Sequence, residues 1–376
     1  MPHEQQRERA DRMLRDQGIG CALFAELATV TWLTGFAPPP QMGATPFRGH
    51  PAFVWYRDGH FTCLVQDAHA SELASWADTP GAAVEAYVGY TLDRPITIRA
   101  NLAAAFERVL AASPPAGAMG VELGAAPANL AAILEPHGPA ADLTGLLDPL
   151  RRIKTDEEIA KLRTSFDLVS VGQRAARDAV TVGTREIDVW TEVQGAIERY
   201  AGRRVPLGND CVVGRRSANI GGFPEELRLE EHDSIIVDLS TAPDGYWSDS
   251  CGTYYAGGPD DRQLELHDVV TRALEYGTSL VRPGIHANDL DAELRRFIGR
   301  EGHEPHPHHG GHGVGTSVHE DPRLAPYDDT PLEAGMVIML EPGIYLSGVT
   351  GVRLEDGLLV TPGGAERLTS HDTSAT

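Results

Sequence analysis

The side chains best suited to chemistry gather in the second half of the chain. In SIIVDLSTAPDGYWSDS, Asp238 and Asp249 flank Ala242-Pro243-Asp244-Gly245, whose Pro, Asp and Gly favour a tight reversal. With the turn centred between Pro243 and Asp244, the two aspartates face each other across a hairpin, their Cβ atoms ~5 Å apart; like charges there are destabilising unless a cation lies between them. A lone aspartate pair beside a turn is ordinarily just solvated, but a second pair recurs downstream. Glu341 and Glu355 are symmetric about Gly348 and can face each other in the same way. Between the pairs runs HPHHGGHGVGTSVHEDP, where Gly310, Gly311, Gly313 and Gly315 leave room for a backbone to pass close to a bound group, and His312 is the candidate imidazole ligand. Four carboxylates and one imidazole suit Mn²⁺ or a neighbouring first-row ion (Co²⁺, Fe²⁺ or Zn²⁺), not a thiolate-type site. That many donors implies two divalent metal ions. Such a pair, about 3.5 to 4 Å apart, activates water and stabilises developing negative charge, which is hydrolase chemistry.

The elements that must position these residues follow from local pattern. Thr155 and Glu158 form a T-x-x-E capping box opening a helix whose apolar positions are Ile159, Leu162, Phe166 and Val169. A second helix carries Ile187, Trp190, Val193, Ile197 and Tyr200, and the first strand pair follows. Helices near 261–281 and 288–300, divided by Pro283-Gly284, lead to MVIMLEPGIY and GVRLEDGLLV, so that two halves each read as helices followed by a strand pair. Upstream, a polar helix near 4–17 precedes the extended CALFAEL and then VTWLTGF. FVWYRDGHFTCLV reads as a hairpin turning at Asp58-Gly59, and helices are expected near 98–112 and 126–135. The expected architecture is α/β in two domains, 1–148 and 149–376, with the last dozen residues a loose tail.

A formal net charge of -22 over 376 residues disfavours nucleic acid and anionic membrane as partners. The start, MPHEQQRERADRM, reads as neither secretory signal nor anchor, and Cys21, Cys63, Cys211 and Cys251 lack CxxC spacing; a cytoplasmic location is the expectation.

VDLSTAPDGYWSD, HHGGHGVGTSVHEDP, MLEPGIY and VRLED, in that order, resemble the pita-bread metallopeptidase family, which includes Xaa-Pro aminopeptidase, Xaa-Pro dipeptidase and methionine aminopeptidase. LRRIKTDEEIAKLR and WLTGF resemble its two-domain prolidase and creatinase branch. The resemblance implies a small creatinase-like α/β domain followed by a pita-bread domain with pseudo-twofold halves. It assigns the family's metal ligands to Asp238, Asp249, His312, Glu341 and Glu355. It further implies that His319 stabilises the tetrahedral intermediate, that Glu341 also exchanges protons with the attacking water, and that His308 and Arg353 support the site. A homodimer acting on a small peptide or amide is the implied assembly and substrate. Three positions depart from the pattern: Gly221 stands where the peptidase branch has a substrate-contacting histidine, and Cys251 and Gly252 replace a Thr and an Arg after the second aspartate. These leave a specialised small-molecule amidohydrolase as the alternative to an Xaa-Pro peptidase. A binding protein that has lost catalysis is disfavoured by the full ligand set.

Overall fold

A computed structural model describes residues 2–39, 52–208, 210–216 and 220–376. The chain divides into two compact units, Met1–Arg151 and Arg152–Thr376.

The first unit runs α1 (Glu4–Asp16), β1 (Ile19–Phe24), α2 (Leu27–Thr34), β2 (Phe53–Arg57), β3 (His60–Gln66), α3 (Ala74–Ala77), β4 (Ala82–Tyr87), α4 (Ile98–Ala112), β5 (Ala118–Val121), α5 (Ala128–Leu134), β6 (Ala140–Asp142) and α6 (Asp148–Arg151). Its six strands form one mixed sheet in the order β4-β3-β2-β1-β5-β6. The β2–β3 hairpin closes on Arg57↔His60 through Asp58 (φ 44°) and Gly59 (φ 85°), the left-handed pair that a two-residue turn requires. Apolar side chains fill both faces of the sheet: Trp32, Tyr56 and Trp76 lie in one core, Trp55, Phe106 and Leu102 in the other.

The second unit opens with α7 (Asp156–Ala179) and α8 (Glu186–Ala201). The expected capping box is present: Glu158 N donates to Thr155 Oγ1 (3.3 Å), and Thr155 N donates to Glu158 Oε2 (2.9 Å). Leu162, Phe166, Val169, Val193 and Ile197 are fully buried, whereas Tyr200 on the same expected stripe is 65 % exposed. Short strands β7 (Leu207–Gly208) and β8 (Cys211–Val213) lie against β9 (Ser234–Thr241), which pairs with β10 (Ser248–Tyr255). Helices α9 (Asp261–Leu280) and α10 (Ala287–Arg300) come next. They precede β11 (Gly311–Gly313), β12 (Glu320–Leu324), β13 (Val337–Leu340), β14 (Gly343–Leu346), β15 (Thr350–Arg353), β16 (Asp356–Thr361) and β17 (Gly364–Arg367). A helix pair followed by a long hairpin therefore occurs twice, each with its own core: Ile235, Val237 and Leu239 of β9 pack with α7 and α8, while Ile338, Leu340 and Leu358 pack with α9 and α10.

The expected loose tail is not loose. Residues Gly364–Arg367 pair with β16, Leu368 and Thr369 are buried, and Ser370 N donates to Ser170 Oγ. Arg177 donates to the carbonyls of Asp372 and Ser374, and His267 meets that of Thr373 at 2.7 Å. The tail is held by these hydrogen bonds although Ser370, Asp372 and Ser374 remain exposed.

Candidate metal centre

Strand alternation sends Ile235, Val237 and Leu239 toward the helices and leaves Asp238 on the opposite face of the sheet. The hairpin register differs from the sequence-based expectation. Asp238 lies opposite Cys251 and Asp249 opposite Ser240. The shift by two has a local cause: Trp247 N–H donates to Gly315 O (2.6 Å) instead of entering the ladder, and Gly245 takes φ 79°, so pairing begins only at Thr241↔Ser248. A shift by two preserves the face, and Asp238 and Asp249 are diagonal neighbours on the same side.

The second hairpin keeps the expected symmetry. Leu340↔Asp356 and Gly343↔Arg353 share one register, centred on Gly348, and Glu341 and Glu355 sit opposite one another where the ladder breaks between β13–β16 and β14–β15. Glu355 is docked on the first hairpin, its N–H donating to Cys251 O (3.0 Å), so one backbone bond joins the two carboxylate pairs.

His312 lies on β11, where glycine permits close packing, although what approaches is protein and not a bound group. A Cβ at Gly311 (φ 155°) would lie 2.0 Å from Met339 O, and one at Gly313 would lie 2.3 Å from Asp321 O. His312 Nδ1 donates to Gly313 O (2.9 Å), which leaves Nε2 as a bare acceptor. That nitrogen faces Asp249 Oδ2 at 3.9 Å, Glu341 Oε1 at 3.9 Å and Glu355 Oε1 at 3.8 Å. Ligand atoms of Asp249, His312 and Glu355 all lie within 4.8 Å of one another. These separations are too long for hydrogen bonds and suit donors sharing a cation through bonds of about 2.0–2.2 Å.

Electrostatics agree with that fit. Burial, then neighbouring carboxylates, push the Asp249 and Glu355 carboxyls well above their ordinary range. Burial would do the same to Glu341, but the hydrogen bond from His309 and the adjacent imidazoles bring it below the ordinary value. Burial holds His308 down at about 4 and His312 at about 3, so both are neutral donors at neutral pH. Four crowded carboxylates and a neutral imidazole call for positive charge among them.

A cavity of about 250 Å³ contains every candidate ligand, together with His308, His309, His319, Arg353, Asp210 and Ile220. His319 stands at the exposed rim, its ring 4.2 Å from that of His312. Arg353 is buried and donates to Asp238 Oδ2 (2.7 Å), Asp210 Oδ2 (3.2 Å), Ile220 O (2.7 Å) and Tyr345 Oη (3.1 Å). Tyr345 Oη in turn meets His308 Nε2 at 2.8 Å. The loop bearing His319 is held by buried Glu320, which accepts from Ser317 N (3.1 Å) and pairs with Lys154 (3.3 Å).

Two polar cavity residues, His309 and Asp210, escaped the sequence reading, as did Tyr345, which bonds to the cavity residues His308 and Arg353. His309 Nε2 lies 2.9 Å from Glu341 Oε1, and its neighbours in HHGGHG gave a signal that its own position did not. Asp210 stands in no motif, and Tyr345, although it ends MLEPGIY, was not singled out there. Of the three departures, Cys251 is fully enclosed, with Sγ 3.6 Å from Arg353 O. Gly252 looks away from the cavity toward Tyr254 and Gln173. Gly221 does not line the cavity itself, but a Cβ there would meet Asp210, which does.

Residues 160–362 match the model of Metallopeptidase family M24. The chain is 35 % identical over 228 residues to an Xaa-Pro dipeptidase of Pyrococcus furiosus, covering 60 % of this chain and 66 % of that protein. It is 34 % identical over 224 residues to an Xaa-Pro dipeptidase of Pyrococcus horikoshii, covering 59 % and 64 %. The matched region thus spans just under two thirds of these curated relatives. Among solved structures, a prolidase from Pyrococcus horikoshii superposes with a TM-score of 0.81 at 26 % identity, over 99 % of this chain and 100 % of that one.

Proposed function

The chain belongs to metallopeptidase family M24, and from that premise we propose that it is a dinuclear metal-dependent hydrolase of amide C–N bonds, with small Xaa-Pro peptides as its substrate class. The observation that carries this is the bare Nε2 of His312 facing three carboxylates at 3.8–3.9 Å. Asp238, Asp249, His312, Glu341 and Glu355 would hold two divalent cations, with Mn²⁺ the expected ion. When bound, such ions acidify water and polarise a carbonyl oxygen.

The protein's own groups do the rest. Glu341 accepts a proton from the attacking water and returns it to the leaving nitrogen, oriented meanwhile by His309. His319, at the open rim, donates to the oxygen that becomes negative. Arg353 fixes Asp238 through their 2.7 Å bond, and Tyr345 links Arg353 to His308, so the walls keep their geometry as charge moves. The relatives named as Xaa-Pro dipeptidases and prolidase support the substrate class. A cytoplasmic homodimer with neither nucleic acid nor membrane as partner belongs to the same proposal; among the described residues no helix is long and apolar enough to cross a membrane.

A specialised amidohydrolase is the second reading, favoured by Asp210 filling the space beside Gly221. Assaying Xaa-Pro dipeptides, longer Xaa-Pro peptides and cyclic amides with Mn²⁺ separates the two. Brisk cleavage of Xaa-Pro bonds, abolished in Glu341→Gln, supports the peptidase. Turnover confined to cyclic amides supports the alternative, and metal-independent turnover would falsify both.

A further inference from the structure

We propose that Asp210 is a specificity-determining residue that makes one wall of the cavity a site for a cationic group of the substrate, an amine or ammonium, and closes that wall to carboxylates. The proposal rests on the hydrolase reading above and names its substrate class more closely.

Among the described residues, Asp210 is the one cavity carboxylate outside the candidate ligand set. It immediately precedes β8, and its backbone is fixed by Asp238 N–H donating to its carbonyl (2.9 Å). Buried Glu186 anchors the same segment by accepting from Val213 N (2.8 Å) and Glu225 N (2.9 Å). Asp210 Oδ1 accepts from Gly222 N (2.9 Å), and Asp210 Oδ2 accepts from Arg353 Nη2 (3.2 Å). The side chain remains 28 % exposed, so its carboxylate can meet a ligand.

The space it occupies is the space a side chain at position 221 would need. A Cβ built on Gly221 lies 1.9 Å from Asp210 Oδ2 and 2.4 Å from its Cγ. Gly221 and Asp210 therefore form a matched pair: the glycine makes the room and the carboxylate takes it.

Charge decides what this wall accepts. Five carboxylates and one guanidinium line the cavity. Two divalent cations would offset the four carboxylates of the ligand set, and Asp210 then offsets Arg353. No uncompensated positive charge is left on this wall for a substrate carboxylate. Arg353 lies closer to Asp238 (2.7 Å) than to Asp210 (3.2 Å), so Asp210 holds the longer of its two ion pairs. What Asp210 adds is a part-exposed carboxylate on the cavity wall, and a charge-assisted hydrogen bond to it is stronger than a neutral one.

The test is a charge-swap binding experiment on the full-length, Mn²⁺-loaded protein. Calorimetry measures L-prolinamide, which has an ammonium and no carboxylate, and N-acetyl-L-proline, which has the reverse, against wild type, Asp210→Asn and Asp210→Glu. Wild type is expected to favour prolinamide by ~10-fold or more. Asp210→Asn keeps an acceptor for Gly222 N–H and should narrow or invert that ratio by ~10-fold, whereas Asp210→Glu should preserve it. A ratio unchanged in Asp210→Asn, a wild type that prefers the carboxylate, or a wild type that binds neither probe overturns the proposal. If Asp210→Asn fails to fold, Asp210→Ser replaces it, with the same expectation. Turnover is scored separately: a shifted ratio in a protein that hydrolyses no amide refutes the hydrolase reading alone, and intact hydrolysis with an unshifted ratio refutes the role of Asp210 alone.

Discussion

At the residue scale, the five candidate ligands were legible because chemistry restricts them: few arrangements bring four carboxylates and an imidazole together without a cation. Two residues that shape their behaviour were not legible. His309 is one histidine among several in HPHHGGHG, and only the fold shows that its Nε2, and not that of His308, lies 2.9 Å from Glu341. Asp210 stands in no motif and reaches the cavity because β8 runs beside β9. Groups that orient a metal ligand commonly contribute 10–100-fold in affinity or activity. His309→Ala is therefore expected to weaken Mn²⁺ binding by roughly 10–100-fold while the protein stays folded. A titration followed by calorimetry, with circular dichroism as the control, checks it; an unchanged affinity removes His309 from the account.

At the element scale, helices were easier to read than registers. The α7 start rests on one local exchange between Thr155 and Glu158, visible in four residues of sequence. The β9–β10 register depends on where Trp247 N–H goes, and it goes to Gly315, 68 positions further along the chain. No local rule sees that bond, so the aspartates proved diagonal instead of opposed. The second hairpin has no such competitor and kept its symmetry about Gly348. The tail was misread for a related reason, since its partners lie on α7, α9 and β16. The start of α2 offers a pH test. Glu122 Oε2 accepts from Ala25 N (2.7 Å) and Glu26 N (2.8 Å), and burial pushes its carboxyl up from 4.5 to about 7. Because the folded chain holds this proton more tightly than the unfolded one, the contribution is favourable below about pH 4.5 and is lost as pH rises to about 7. A Gln oxygen can accept both N–H groups without ionising. Glu122→Gln should match wild type at pH 4.5 and exceed it at pH 8, by roughly 3 kcal/mol at most. Urea unfolding at the two pH values measures this, and a variant less stable at pH 8 contradicts it.

At the scale of the whole molecule, the two-domain α/β plan with a pita-bread-like second domain, expected from motifs that lie almost entirely beyond residue 150, holds across the full chain in comparison with the Pyrococcus horikoshii prolidase. Each unit has its own cores, and the candidate ligands all belong to Arg152–Thr376. Metal removal is accordingly expected to act on one unit. Scanning calorimetry with and without a chelator should lower the transition of the second unit, by about 4 kcal/mol for each ion whose free concentration stood 1,000-fold above its Kd, and leave the first unchanged. Trp32, Trp55 and Trp76 lie in the first unit and Trp190 and Trp247 in the second, so fluorescence of tryptophan variants assigns the transitions. The most direct measurement is metal content per chain, by elemental analysis of protein equilibrated with Mn²⁺ and freed of excess ion. Two ions per wild-type chain are predicted, with loss of one or both in Asp249→Asn and His312→Ala variants that remain folded. No tightly held metal in folded wild type, or two ions still bound in both variants, would contradict the account.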